Sequence, residues 1–327
     1  MHRRDFIRAV VGSAAAWPLV SAAQQQTTPV IGFLHVGVAK SFEGIVAAFR
    51  QGLSETGYND QGKVAIEFRW AEGHYDRLPK LAADLVRRRV AIIVTGGGEA
   101  TALAAKNATS TIPIVCNVGD DPVKVGLIAG LNRPGGNITG VNILTSELAA
   151  KRVGLLHDLV PSSAVIAYIV NPNFPSTAAN IKDVQAAALA LGVQIVVVSA
   201  TNIAEIDAAF VSIRQKKIGA LLVGADPFFN SRRDQFVALS AHHSIPAIYE
   251  LREFAVAGGL LSYGTNLADS YRQMGRYTGR ILRGEKAGDL PFVQSAKFEL
   301  VINAKTAKSL GVRLPSGLLS IADEVIE

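Results

Sequence analysis

One cysteine stands in a chain of 327 residues. A single Cys116 excludes an internal disulfide and a cysteine-based zinc site. Its place in the apolar run Ile112-Pro113-Ile114-Val115-Cys116 reads as a small buried hydrophobe rather than a nucleophile. Charge is scarce too. Charged residues make up 18% of the chain, and the net charge is +6. No basic run is longer than Arg87-Arg88-Arg89, which reads as the solvated end of a helix. Aromatic residues do not interleave with basic ones, so nucleic-acid binding has no support.

Catalytic motifs are missing as well. The six histidines show no metal-ligand spacing. His242 and His243 are adjacent and would point in different directions on a helix. There is no Gly-x-Ser-x-Gly elbow and no Walker loop. Gly96 and Gly98 begin a glycine pattern, but Thr101 stands where a dinucleotide fingerprint needs its third glycine. No catalytic residue, metal or cofactor is expected. An enzyme on Rossmann-like lobes is the lesser alternative, and a turnover assay would separate it.

What is present begins at the amino terminus. Arg3-Arg4-Asp5-Phe6-Ile7 is a twin-arginine pattern, followed by an apolar stretch from Ala9 to Val20 and by Ser21-Ala22-Ala23. The stretch is too short to span a bilayer, and the small residues suit signal peptidase cleavage before Gln24. Residues 1–23 are therefore expected to be an export signal, with the mature protein soluble in the periplasm. No cysteine stands near the cleavage point to carry a lipid anchor.

From residue 30 onward, short apolar runs alternate with amphipathic helical patterns. Strands are expected at 30–34, 64–69, 90–94 and 112–118, with helices at 42–56, 78–88 and 100–108 between them. The pattern then restarts with strands at 138–141, 165–170, 194–198, 220–223 and 247–249 and helices between them. A further strand at 260–264, a helix at 269–282 and an extended run at 298–303 follow. Repeated βα winding predicts an α/β protein of two Rossmann-like lobes with parallel sheets, joined by several crossings that make a hinge. Pro134-Gly135-Gly136-Asn137 reads as the first crossing. The expected boundaries are 29–140 plus about 266–288 for the first lobe, and 141–265 plus about 289–327 for the second.

In open parallel sheets ligands sit outside the carboxyl ends of the strands. That rule selects His35, Gly97, Gly98, Glu99, Asn117, Gly119, Asp120, Asn171, Phe174, Asp226, Phe228, Tyr249 and Tyr263, with Glu250 beside Tyr249. Amides, carboxylates, backbone donors and aromatic rings together suit an organic solute with some apolar surface. Each has a plainer reading. His35 could be a structural histidine, 96–98 a tight turn, and Asp120-Asp121-Pro122 a helix cap. One of Phe228 and Phe229 could belong to the core.

The chain after the signal resembles the periplasmic substrate-binding components of ABC transporters, in the group related to tryptophan- and phenylalanine-binding receptors. The resemblance rests on Arg133-Pro134-Gly135-Gly136-Asn137-Ile138-Thr139-Gly140-Val141, on Asp226-Pro227-Phe228-Phe229-Asn230-Ser231-Arg232-Arg233 and on Gly258-Gly259-Leu260-Leu261-Ser262-Tyr263-Gly264. The segments 112–127, 297–303 and 322–326 carry it further. It implies a type I periplasmic-binding fold, capture of a small solute by lobe closure, and delivery to an ABC permease, the sole tie to the membrane. It also implies a monomer and a cleft lined near Gly98, Glu99, Asn171, Asp226 and Tyr263. A sensory module serving a membrane receptor would have the same soluble fold. Two departures bear on the ligand. Glu99 stands where amino-acid-binding members carry a small hydroxyl residue, and Phe174 and Ser176 stand where those members are more polar. A buried Glu99 favours a ligand ammonium or hydroxyl donor. The expected solute is an amino acid or an aromatic or branched carboxylate-like compound.

Overall fold

The computed structural model describes residues 28–58 and 63–327, so the expected export signal lies outside the described residues. The chain folds into two α/β lobes. Their strands are β1 Val30–His35, β2 Ala65–Trp70, β3 Ile92–Gly96, β4 Ile114–Val118, β5 Ile138–Asn142, β6 Val165–Val170, β7 Gln194–Ser199, β8 Ala220–Val223, β9 Ala247–Tyr249, β10 Leu261–Thr265, β11 Val293–Gln294, β12 Phe298–Asn303 and β13 Glu324–Ile326. The first sheet has the order β11-β5-β4-β3-β1-β2 and the second β13-β12-β10-β9-β8-β6-β7.

The apolar runs explain the layering. β3 and β4 are buried throughout, as a strand covered on both faces must be. On one face of the first sheet, the helices Glu43–Ser54 and Leu267–Leu282 pack Phe49, Leu53, Tyr271 and Met274 onto Ile31 and Phe33. These two helices touch because glycine lines the seam. A Cβ on Gly52 would fall 1.8 Å from the Arg272 carbonyl oxygen. The other face is covered by Leu78–Arg87 and Glu99–Ala108, with Leu85 and Ala105 in its core.

Two expectations need correction. The chain does not leave the first lobe at 134–137. β5 pairs parallel with β4, so those residues form a turn inside the first lobe, where the Gly135 N–H meets the Gly288 carbonyl at 3.2 Å. The first lobe therefore runs to Asn142, past the expected limit of 140, and regains β11 at 293–294, past the limit of 288. The second sheet is not wholly parallel either, since β12 runs antiparallel to β10. The hinge forces this. β10 ends where the chain leaves the lobe and β12 starts where it returns, so the two strands share one end and oppose each other.

Three crossings therefore lie side by side, at 142–145, 265–267 and 294–298. Ser295 N–H donates to the Asn142 carbonyl at 2.8 Å, and the Thr265 hydroxyl to the Ile143 carbonyl at 2.5 Å. Leu144, in the first crossing, has φ +56°, a left-handed conformation that a leucine adopts only under constraint.

Candidate functional site

The carboxyl ends of both sheets face each other across one small cavity between the lobes. The first lobe contributes His35 at the end of β1, Gly97 and Gly98 after β3, and Asn117 and Gly119 at the end of β4. The second contributes Phe174 after β6, Asp226, Pro227 and Asn230 after β8, and Glu250 after β9. Helical positions close the remainder: Phe42, Thr145 and Tyr271.

The lobes touch around this cavity. Tyr75, just past β2, donates its hydroxyl to Asp226 Oδ2 at 2.7 Å. Val38 N–H reaches Ser231 Oγ at 3.3 Å, and Arg233 Nη1 reaches the Ser41 carbonyl at 3.3 Å. Gly97 and Gly98 have φ +88° and +87°, and a Cβ on Gly98 would meet the Phe174 ring at 3.1 Å. Glycine here satisfies a left-handed backbone and a close approach of the opposite lobe together.

Three carboxylates are buried at or behind the wall. Asp226 is saturated: Oδ1 accepts from the Phe228 and Phe229 amides at 2.8 and 3.2 Å, and Oδ2 accepts from Tyr75 and from Asn171 Nδ2. Burial nonetheless raises its pKa to about 6. Glu250 accepts from the Thr145 hydroxyl at 3.1 Å, and burial raises its pKa while Arg152 opposes the shift. Glu99 has no exposed surface. Its Oε1 accepts from the Gly119 and Asp120 amides at 2.6 and 2.7 Å, Oε2 has no partner, and burial raises its pKa.

Positive charge does not reach the wall. Arg152 is buried, but its guanidinium is turned to the Thr145 and Tyr263 carbonyls at 3.1 and 3.2 Å. His35 accepts the Gly37 N–H on Nδ1 at 2.8 Å, and burial lowers its pKa to about 3, so the ring is neutral. Its remaining proton sits on Nε2. Among the described residues no group of three or more His, Cys, Asp or Glu is placed to hold a metal ion.

Of the residues expected at the site, His35, Gly97, Gly98, Asn117, Gly119, Phe174 and Asp226 line the cavity. Glu99 stands behind Gly119, and Asn171 braces Asp226. Asp120 turns its Oδ1 onto the Asp121 amide. Ser176 is buried with its hydroxyl unpaired. Three aromatics lie in cores instead. Phe228 packs beside Phe229, and Tyr249 stacks on Phe254 and shares a hydrogen bond with Ser240 at 2.9 Å. Tyr263 belongs to the second lobe's core under the Lys151 ammonium. Tyr249 is turned to Phe254 and Ser240 and Tyr263 into the core, away from the cavity; the residue after β9, Glu250, is the one that reaches it. Phe42, Thr145 and Tyr271 escaped the strand-end rule because helical segments carry them.

A sequence profile described as ABC transporter substrate binding protein matches residues 30–326. The chain belongs to the ABC transporter substrate-binding protein family. This substrate-binding protein is 25% identical over 279 residues to a tyrosine-binding protein of Clostridioides difficile, covering 85% of the chain and 79% of the relative. A conserved domain protein from Vibrio cholerae superposes with a TM-score of 0.84 at 23% identity, covering 91% of this chain and 99% of the other. An ABC domain from Streptococcus pneumonia in complex with L-Trp gives 0.80 at 24% identity, covering 90% and 100%. The substrate-binding protein thus has the type I periplasmic-binding fold.

Proposed function

We infer that the protein is an exported receptor that captures a small organic solute between its lobes and delivers it to an ABC permease, without chemistry of its own. The observation that carries this is the interlobe cavity. Its walls come from both lobes, and bonds such as Tyr75 to Asp226 join them across it. A ligand that touches both walls is held fully only when the lobes meet, so it shifts the population toward the closed form. The rings of Phe42, Phe174 and Tyr271 suit an aromatic part, and relatives that bind tyrosine and tryptophan support an amino-acid-sized solute. The twin-arginine pattern and Ser21-Ala22-Ala23 support export and cleavage before Gln24. The protein works as a monomer, without nucleic acid, and meets the membrane through its permease.

Native mass spectrometry of protein purified from the periplasm tests this reading. A small organic molecule released on denaturation, whose return raises the melting temperature, is the expected result. Empty protein that no cellular solute extract stabilises would contradict it.

A further inference from the structure

Resting on the receptor reading, we propose that the cavity selects a solute presenting an ammonium group and excludes a free carboxylate from the first-lobe wall, because Glu99 already occupies the amides that would hold one.

The argument is an account of donors and acceptors. An anion in this cavity needs cationic side chains or free N–H groups. No lysine or arginine lines it, and Arg152 is turned to the Thr145 and Tyr263 carbonyls. Three backbone donors at the ends of β3 and β4 are engaged as well. The Gly97 N–H lies against the Tyr271 hydroxyl, and those of Gly119 and Asp120 bind Glu99 Oε1. Two side-chain acceptors, by contrast, have no donor. Asn117 is 2% exposed and lines the cavity, and its Oδ1 has no partner. Glu99 Oε2 has none either, and since Glu99 stands behind Gly119, off the lining, its charge acts on the cavity through space. A buried acceptor without a donor is costly, and a carboxylate oxygen more so. A ligand ammonium offers three donors and a compensating charge. A ligand carboxylate would meet two walls of like charge, since Asp226 and Glu250 face it from the second lobe.

The test uses three probes that share one phenol ring: tyramine, L-tyrosine and 3-(4-hydroxyphenyl)propionate. Dissociation constants are measured by titration calorimetry for the native chain, Glu99→Ser and Glu99→Gln. For the native chain, tyramine should bind at least ten-fold more tightly than the propionate. Serine is too short to reach the Gly119 and Asp120 amides, so Glu99→Ser should shift the tyrosine-to-tyramine ratio at least ten-fold toward tyrosine. Glutamine keeps an oxygen for those amides and loses only the charge. Glu99→Gln should weaken tyramine while leaving tyrosine without that gain, which tests the claim even if the serine variant folds poorly. Propionate binding as tight as tyramine in the native chain would overturn the proposal. An unchanged ratio in Glu99→Ser would do so too, as would the absence of binding by all three probes. In each case a solute co-purified from the periplasm would leave the receptor reading standing.

Discussion

Asp226 holds four hydrogen bonds on one carboxylate, two from its own helix start, one from Asn171 and one from Tyr75 of the opposite lobe. The Tyr75 bond joins the two lobes directly across the cavity. Tyr75→Phe should therefore weaken solute binding by about ten-fold, as expected for a hydrogen bond to a charged group worth ~1.5–3 kcal/mol, with a smaller effect on the melting temperature of empty protein. Titration of the co-purified solute against both chains checks this. Asp226 also predicts a pH dependence. Its pKa rises to about 6 from an ordinary 3.8, so the folded chain binds this proton more tightly than the unfolded one. The associated stability is present below about pH 4 and is lost as pH rises through about 6, on the order of 3 kcal/mol in all. Asp226→Asn should flatten the decline in melting temperature over that window relative to the native chain; parallel curves would refute it. Much of this site was legible in the sequence. The strand-end rule finds residues at or just past a strand's end, such as His35, Gly97 and Asp226. It overreaches at Tyr249 and Tyr263, whose rings turn into the cores, and it is blind to Tyr271, which a helix from a later excursion brings to the wall.

The strand and helix alternation was readable because β3, β4 and β6 are near-continuous apolar runs, and the helices between them carry an apolar face. The first crossing was misplaced for a physical reason. Pro134-Gly135-Gly136-Asn137 has strong turn chemistry, but a turn does not say which sheet the next strand joins. That is decided by β5 pairing with β4. The crossing itself is marked by Leu144, whose left-handed backbone is held by its N–H bond to Asn142 Oδ1 at 2.9 Å. The loop after β3 is the other constrained element. Gly98→Ala would place a methyl group in a left-handed backbone and against Phe174. The backbone strain is about 1–3 kcal/mol, and the contact with Phe174 opposes closure, so solute affinity should fall roughly ten-fold. Trp70, on β2 with its ring 5.1 Å from His35, offers a fluorescence reporter for that titration. Unchanged affinity would separate the loop from closure.

As a whole, the molecule is two sheets joined by three short crossings, with its polar interlobe bonds concentrated around one cavity. On the receptor reading proposed above, open and closed forms would differ in these interlobe bonds, which the ligand completes. Among the described residues no helix is long and apolar enough to cross a membrane. Small-angle X-ray scattering tests the central claim most directly. Protein stripped of ligand by unfolding and refolding is compared with the same protein saturated with its co-purified solute. The account predicts a smaller radius of gyration with solute, and the same contraction in Gly98→Ala only at a roughly ten-fold higher solute concentration. Tight binding with an unchanged radius of gyration would contradict capture by closure.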